Sequence, residues 1–559
     1  LAGLMHAALM MLAAPPLNVW PAVFVALLPL CWLVTRPYTR PWRDALLVSL
    51  GVLPMWGVWE WWTAEVTGVG YVPFICLQAS YAGLFLLVSR RLNRKWPRAP
   101  LSLLLPAVWT AIELFRGEIV LDGYAWGLLA HPLIAVTALA APAALLGTYF
   151  VSFLAAAVNG AIAQAVLLRQ RRPALIVLAC CAVAWTVGAV ALPRIDPAAP
   201  QLRTAIVQTN VPQSNKTGRG PDQELEAWKD LQTLTFAADT DPTSKPDVII
   251  WPETMVPGPT IEPEAIAVLR DNDIYFPSQE SPERKIFAWV FADSLNQLQK
   301  DVNVPMVVGA IASVGLHLKK DEQRRVRLDA RETYNSVYLI NGGKVQPVRY
   351  DKVRLTPFGE TMPYVRLWPW LQKQMLRFGA NGMTFDLNFG KQFTVFNVPA
   401  ASLGRDVRIV TPVCFEITIA GHCRRLVFDH GQRRADLIAS VTNDGWFSGT
   451  DIARLQHLQI ARWRCLELAT PMARAANTGI SALVDARGRI LDKGVQGKQQ
   501  GSRTDGILMG QVPLGTATTL YARVGDLFAW ATFTAAGLAL IASFYRRKTS
   551  PKAEQKGQP

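Results

Sequence analysis

"RIVTPVCFEITIA", Arg408 to Ala420, sets Cys414 at the end of a β-branched run, with Glu416 two positions further on. Such a run reads as a buried strand, and a cysteine closing it is by default a small, inert apolar residue. Two other stretches change that default. "DVIIWPETMVP", Asp247 to Pro257, leaves Glu253 just past an apolar strand, and "RYDKVRLTPFGETMP", Arg349 to Pro363, puts Lys352 and Glu360 in a loop containing Gly and Pro. Alone, such a carboxylate is a surface cap and such a lysine a solvated side chain. Together with a cysteine they are the parts of an acyl-transfer site. A thiol with an ordinary pKa near ~8.5 is mostly protonated at neutral pH, so a base such as Glu253 must take its proton before it attacks a carbonyl. The oxyanion formed by attack needs fixed positive charge or N–H donors, which Lys352 and the backbone after Cys414 would supply. No histidine is near these strand ends in sequence, although His457 could approach in space.

Further apolar runs flank these three: "TAIVQTNV", "VPMVVGAI", "YNSVYLI", "DLIASVTND" and "SALVDARGRIL". They alternate with polar stretches of helical period, so residues 204–520 read as an α/β layered domain with several strands buried on both faces. The polar excursion Leu316–Thr333 reads as a solvated loop between two strands.

With 559 residues, the chain is long enough for at least two folding units. Its apolar residues crowd into the first third and one late segment, which indicates a membrane frame. Spans are expected near Leu1–Ala14, Trp20–Val34, Ala45–Trp62, Tyr71–Ser89, Leu101–Leu114, Ala144–Leu168 and Ala174–Leu192, with an eighth at Gly525–Tyr545. This divides the chain into a seven-helix membrane domain (1–193), the α/β domain (204–520), a C-terminal span (525–545) and a polar cytoplasmic tail (546–559). Basic runs follow alternate spans: "TRPYTRPWR", "RRLNRKWPR", "RQRR" and "RRKTSPK". All four then face the cytoplasm, which puts Pro193–Leu520 on the other side. Glu113 and Arg116, one turn apart at the end of the fifth span, read as an interfacial ion pair ahead of the alternative, a role in holding lipid headgroups. The chain opens on Leu1 rather than methionine, so a natural start further upstream is expected.

The net charge of +15 is read as topology signal and contact with anionic lipid, not as a nucleic-acid footprint. Seven cysteines without even spacing give no disulfide framework, and with six histidines they form no zinc-type grouping, so neither a metal nor another cofactor is expected.

Glu, Lys and Cys in this order, at strand ends of an α/β domain, resemble the nitrilase, or carbon-nitrogen hydrolase, superfamily. The membrane frame narrows the resemblance to its apolipoprotein N-acyltransferase family. The pieces are "WPE" at Trp251–Glu253, "DKVRLTPFGETMP" at Asp351–Pro363, "CFE" at Cys414–Glu416, "SVTNDGWF" at Ser440–Phe447 and "ARAANTG" at Ala473–Gly479, with "ELFRG" in the fifth span and "LNVWP" near the start. The resemblance implies an αββα sandwich outside the cytoplasm of a bacterial inner membrane. It implies Glu253 as base, Lys352 as stabiliser of the tetrahedral intermediate and Cys414 as the nucleophile that becomes a thioester. Glu360 and Glu416 would support the site and orient substrate, and Asn443, Asp444 and Trp446 would form a loop beside the pocket. The implied reaction moves an acyl chain from a phospholipid, phosphatidylethanolamine foremost, to the N-terminal amine of a diacylglyceryl-cysteine lipoprotein. Two departures are the long stretch Arg270–Gln297 and Gly445 in place of the family's common alanine.

Tyr364–Gly379 combines Trp368 and Trp370 with Arg366, Lys373 and Arg377. It reads either as an arm dipping into the membrane interface or as an amphipathic helix packed on its own domain. Two rival functions stand beside the main one. A membrane-tethered amidase would use water as acceptor, but so many spans exceed what a tether needs. A transporter or lipoprotein-binding scaffold would line a path with charge, yet Glu60 and Glu113 stand almost alone in the spans.

Overall fold

The computed structural model describes residues 1–545 apart from 67, 212–219, 239–244, 279–280, 282, 321–325, 369, 371–373, 375–386, 448 and 496–501. The β-branched runs assemble into two six-stranded sheets. In chain order the strands of the first half are β1 (Gln201–Gln208), β2 (Val248–Ile250), β3 (Met306–Val314), β4 (Glu332–Asn341) and β5 (Lys344–Asp351). They are followed by β6 (Phe396–Ala400), β7 (Arg405–Val410), β8 (Leu437–Thr442), β9 (Met472–Ala476), β10 (Ala482–Val484), β11 (Ile490–Lys493) and β12 (Gly506–Pro513). One sheet runs β12-β1-β2-β3-β4-β5 and the other β6-β7-β8-β9-β10-β11. Each has a parallel centre, β1-β2-β3 and β7-β8-β9, and antiparallel flanks.

The pleat explains the layering. In β1, Leu202 and Ile206 face the second sheet and pack with Val398, Ile409 and Ile438, whereas Ala205 and Val207 face outward onto Trp228 and Leu231 of the helix Pro221–Ala237. β2 and β8 are buried at every position, as strands covered on both faces must be. Helices Pro263–Asp271 and Val290–Val302 complete the outer layer of the first sheet, and Ala420–Val427 and Ile452–Leu468 cover the second. The result is an αββα sandwich.

Outside the sandwich, the stretches read as spans are occupied by apolar helices, two of them interrupted. Four are long and apolar enough to cross a membrane: Gly68–Lys95, Thr148–Leu167, Arg171–Ala191 and Leu527–Phe544. Ala2–Ala13 has 12 residues and Leu101–Leu114 has 14. The second span is broken into Trp20–Phe24 and Leu28–Thr35. The sixth breaks at Gly147, whose φ is +85° and where a Cβ would meet the Tyr521 ring at 2.7 Å.

Ile452–Leu468 joins the two halves. Leu458, Ala461, Cys465 and Leu468 pack into the sandwich, while Trp463 and Leu466 belong to the core of the apolar helices. Trp463 donates its indole N–H to His131 O at 3.3 Å, and Thr148 donates both its N–H (2.8 Å) and its hydroxyl (2.5 Å) to Glu467. These polar contacts fix the sandwich on the helical frame at a set angle, which apolar packing alone would not specify.

Two expectations are corrected here. The excursion Leu316–Thr333 is not a plain loop: His317–Lys320 pairs with Val326–Asp329 as a two-stranded ribbon, its polar side chains facing water and its backbone satisfied by pairing. Glu113 and Arg116 do not pair. Glu113 instead accepts from Trp109 Nε1 (2.9 Å) and Leu129 N–H (2.7 Å), and Arg116 stacks over Trp56 at 5.1 Å. Donors fixed by the helix and the following turn outcompete a flexible guanidinium. The long stretch Arg270–Gln297 holds a short ribbon, Tyr275–Pro277 with Lys285–Phe287, before the next helix. The tail 546–559 lies outside the described residues.

Candidate active site

Glu253 follows β2, Lys352 follows β5, Cys414 follows β7 and Asn443 follows β8. β5 is two antiparallel steps from β3, so it runs in the same direction as β2, and the two strands present their carboxyl ends on one side. Loops at such ends are where open α/β sheets place ligands.

At the centre is a buried charge cluster. Lys352 Nζ lies 2.7 Å from Glu360 Oε2, 3.3 Å from Glu253 Oε1 and 3.3 Å from Thr356 Oγ1. The two carboxylates are linked by Asn335 in β4, whose single Nδ2 donates to Glu253 Oε1 (2.7 Å) and Glu360 Oε1 (2.9 Å). Glu253 Oε2 accepts the Asn443 N–H at 2.8 Å, and Glu360 Oε2 accepts the Thr356 N–H at 2.8 Å. Burial opposes the charge on Lys352, but Glu360 and Glu253 outweigh it and raise the ammonium pKa. Burial likewise opposes ionisation of Glu360, and Lys352 outweighs it and holds the carboxyl below its usual range. The lysine is a fixed cation.

Cys414 opens the short turn Cys414–Thr418 with φ +51°, a left-handed conformation that costs a non-glycine residue free energy. The turn is held from two sides. Glu416, fully buried, accepts the N–H groups of Val353 and Arg354 on Oε1 and of Val413 on Oε2, each at 2.8 Å, and the Tyr350 hydroxyl at 2.9 Å. One carboxylate thus ties the loop after Lys352 to the turn carrying Cys414. Burial works against its ionisation, but His422 at 3.3 Å and these N–H groups prevail and lower its pKa. On the other side His457 Nε2 meets Cys414 O at 3.3 Å, while its Nδ1 lies 3.0 Å from Asp444, itself 2.7 Å from Arg474. His457 therefore does reach the cysteine, at the carbonyl and not at the sulfur.

Cys414 as a residue is half-buried, and burial of its thiol together with the Glu253 charge pushes the pKa up to about 12, against the pull of Lys352. The resting sulfur is a neutral thiol, so any attack needs simultaneous proton removal. Beside it is an aromatic wall built from both halves of the molecule: Phe415, Phe447 and Ile460 from the sandwich with Tyr124 and Trp126 from the helical frame, backed by Trp62 and Phe74. Tyr124 is held by its hydroxyl donating to Glu60 at 2.8 Å and Trp126 by its indole donating to Gln456 at 2.6 Å. The members of this wall are buried against one another, so it is a packed apolar seam between the sandwich and the helical frame.

All three triad candidates, with Glu360, Glu416, Asn443 and Asp444, converge on this region. Trp446 is half-buried in the turn Asp444–Trp446. Trp368 and Trp370 stand apart, 58% and 72% exposed, near a root where Tyr364 donates to Ile119 O at 3.2 Å and Arg366 meets Asp122 at 3.1 Å. The rest of the expected arm lies largely outside the described residues. Asn335, Thr356, Tyr350 and Arg474 were not singled out from sequence. Asn335 had a signal, a lone amide within the apolar run "YNSVYLI", where a buried polar side chain must have a partner. Among the described residues no three His, Cys, Asp or Glu side chains converge as a metal-ligand set.

Residues 6–161 match the apolipoprotein N-acyltransferase N-terminal domain and residues 203–522 match the carbon-nitrogen hydrolase family. Similar proteins include the apolipoprotein N-acyltransferase of Geobacter metallireducens, 28% identical over 98% of this chain and 96% of that protein. Those of Chlorobaculum tepidum (26%, 94% of each chain) and Rhizobium meliloti (28%, 91% of this chain and 90% of the other) are similar along their length too. With more than half of its residues matched in this way, the chain belongs to the carbon-nitrogen hydrolase family, in a form that carries an apolipoprotein N-acyltransferase N-terminal domain ahead of the sandwich.

Proposed function

We propose that the protein is a phospholipid:apolipoprotein N-acyltransferase of a bacterial inner membrane, with its sandwich on the periplasmic face and seven spans before it and one after. The observation that carries this reading is the junction of two environments: a cysteine beside a buried Glu–Lys–Glu cluster, joined through Phe415 and through His457, which meets Trp126 at 5.7 Å and Phe447 at 5.5 Å, to an aromatic seam shared with apolar helices. A soluble amide would need the first and not the second.

Glu253 takes the Cys414 proton as sulfur attacks the sn-1 ester carbonyl of a phospholipid such as phosphatidylethanolamine. The oxyanion is stabilised by Lys352 and backbone N–H groups after Cys414. Collapse breaks the ester C–O bond, and Glu253 returns the proton to the departing lysophospholipid alkoxide, leaving a thioester. The α-amine of a diacylglyceryl-cysteine then attacks the thioester. Glu253 takes one amine proton, the C–S bond breaks, and the sulfur leaves reprotonated as the amide forms. A single base serves both halves, because an α-amine has a pKa near ~8. Glu416 positions the two loops and Glu360 fixes Lys352, while Asn443, Asp444 and Trp446 shape the cleft.

The test is transfer of a labelled acyl chain from phosphatidylethanolamine vesicles to a synthetic diacylglyceryl-cysteine peptide by the purified protein. Labelled triacyl peptide is the expected product. Release of free labelled fatty acid with no peptide product would favour a hydrolase and overturn the reading.

A further inference from the structure

A cavity of about 410 Å³ opens where the sandwich meets the start of the apolar helix Leu527–Phe544. Its lining includes two cations, Arg354 and Arg425, and two carboxylates, Glu118 and Asp526, with Trp530 and Leu527 on the helix side. Cys414, Lys352 and Glu253 do not line it.

These four groups are unpaired with one another. Among the described residues Arg354 and Arg425 close no ion pair with a carboxylate, and Arg425 stacks on Phe393 at 4.3 Å. Among the described residues Glu118 accepts the Tyr149 hydroxyl, at 3.3 Å, and Asp526 the Tyr521 hydroxyl at 3.0 to 3.1 Å; burial and the nearby Asp526 push the Glu118 carboxyl up to about 8, so it holds its charge only when a cation is beside it. The third arginine of the wall, Arg424, is spent on the carbonyls of Ala522 and Arg523, and His422 on Glu416. Arginines and carboxyl groups that share a cavity without closing on each other suit a ligand that carries both signs a few ångströms apart, since its cation would hold the carboxyl pair ionised. Below them, Leu527 and Trp530 are 63% and 43% exposed at the head of an apolar helix, where a tryptophan marks the headgroup level of a bilayer.

We infer that this cavity seats a zwitterionic phosphate–ammonium group, the headgroup of an ethanolamine phospholipid, with phosphate toward Arg354 and Arg425 and ammonium toward Glu118 and Asp526. The seat is distinct from the cleft holding Cys414 and does not rest on the acyl-transfer reading. It is nevertheless next to the brace of that cleft, because Val353, Arg354 and His422 line the cavity and also contact Glu416. Phosphate–arginine pairing is frequently bidentate, which gives the cation side most of the affinity and the carboxylate side the choice of headgroup.

The test is native mass spectrometry of the full chain released from mixed vesicles of phosphatidylethanolamine and phosphatidylglycerol, run on Cys414→Ala so that no acyl exchange occurs. The expected result is retention of the ethanolamine lipid by about tenfold over the glycerol lipid. Arg425→Ala should lower retention of both, and Glu118→Gln should remove the preference while leaving glycerol lipid bound. Free phosphoethanolamine at millimolar concentration should displace less than half of the lipid. Equal retention of both lipids by the parent, or an unchanged preference in Glu118→Gln, would overturn the zwitterion assignment. Complete displacement by free phosphoethanolamine would overturn the lipid as occupant in favour of a soluble phosphate ester. Failure of the transfer assay above would leave these binding outcomes untouched.

Discussion

Glu253 and Glu416 are both buried and both follow strands whose carboxyl ends meet at the same cleft, but they are held in different ways. Glu416 is saturated, with three backbone N–H groups, a tyrosine hydroxyl and a histidine around it. Glu253 shares Asn335 and Lys352 with Glu360 and takes one backbone N–H. A carboxylate with every lone pair engaged is a brace. One whose partners are shared can change its protonation without dismantling the fold, which is what a base requires. The difference gives a physical ground for the separate roles that the family resemblance implies for the two glutamates.

The largest effect we expect is on the base side of that comparison. Glu253→Gln should slow formation of acyl-enzyme by about 10²–10⁴-fold, the usual value of general base catalysis, with thermal unfolding close to wild type. Lys352→Met should cost about 10²–10³-fold in the same single-turnover assay. It should also lower the unfolding temperature, because Glu253 and Glu360 then face each other across Asn335 without a cation. A Glu253→Gln variant that acylates at the normal rate would collapse the distinction.

Glu416→Gln should show the opposite balance. An amide cannot accept the three N–H groups and the hydroxyl as the carboxylate does, and each buried donor left unpaired costs about 1–3 kcal/mol, so chemical denaturation should detect a loss of several kcal/mol. The sign with pH follows from its depressed pKa. The contribution of Glu416 is present above the unfolded carboxylate range near ~4 and is lost as pH falls through its lower folded value. The acid limb of the wild-type stability curve should therefore be shallower in the variant.

Much of the fold was legible because the physics is local. Period-2 and continuous apolar runs are strands, long apolar stretches are apolar helices, and the "WPE", "DKV" and "CFE" strand ends bring Glu253, Lys352 and Cys414 to one side of the sandwich. The parts that escaped reading depend on long-range geometry. His457, Asp444 and Arg474 are separated by 13 to 30 positions and form one network under the Cys414 carbonyl. The sequence gives no indication that Glu416 would spend its oxygens on backbone N–H groups 62 and 63 residues away. The Glu113–Arg116 pairing failed because helical spacing permits a contact without deciding which donor is better placed.

Smaller effects sharpen the same contrast. With its pKa raised to about 12, the Cys414 thiol should be alkylated by iodoacetamide at a rate that climbs throughout pH 7–10, since the neutral form is favoured until the pKa is reached. A plateau near pH 7 would mean that a thiolate is already present and the base is not needed. The smallest expected change is that of Trp368→Ser with Trp370→Ser, which should weaken phospholipid turnover several-fold by losing interfacial apolar area, with stability unaffected because both are exposed. Unchanged turnover would remove the arm from the reaction.

The most direct measurement of the central claim is the intact mass of the purified protein after mixing with phosphatidylethanolamine and no acceptor. Wild type should gain the mass of one acyl group on Cys414, removed by neutral hydroxylamine, and Cys414→Ala should gain none. An unmodified wild type under conditions that support transfer, or an acyl group that persists in Cys414→Ala, would contradict a thioester at Cys414.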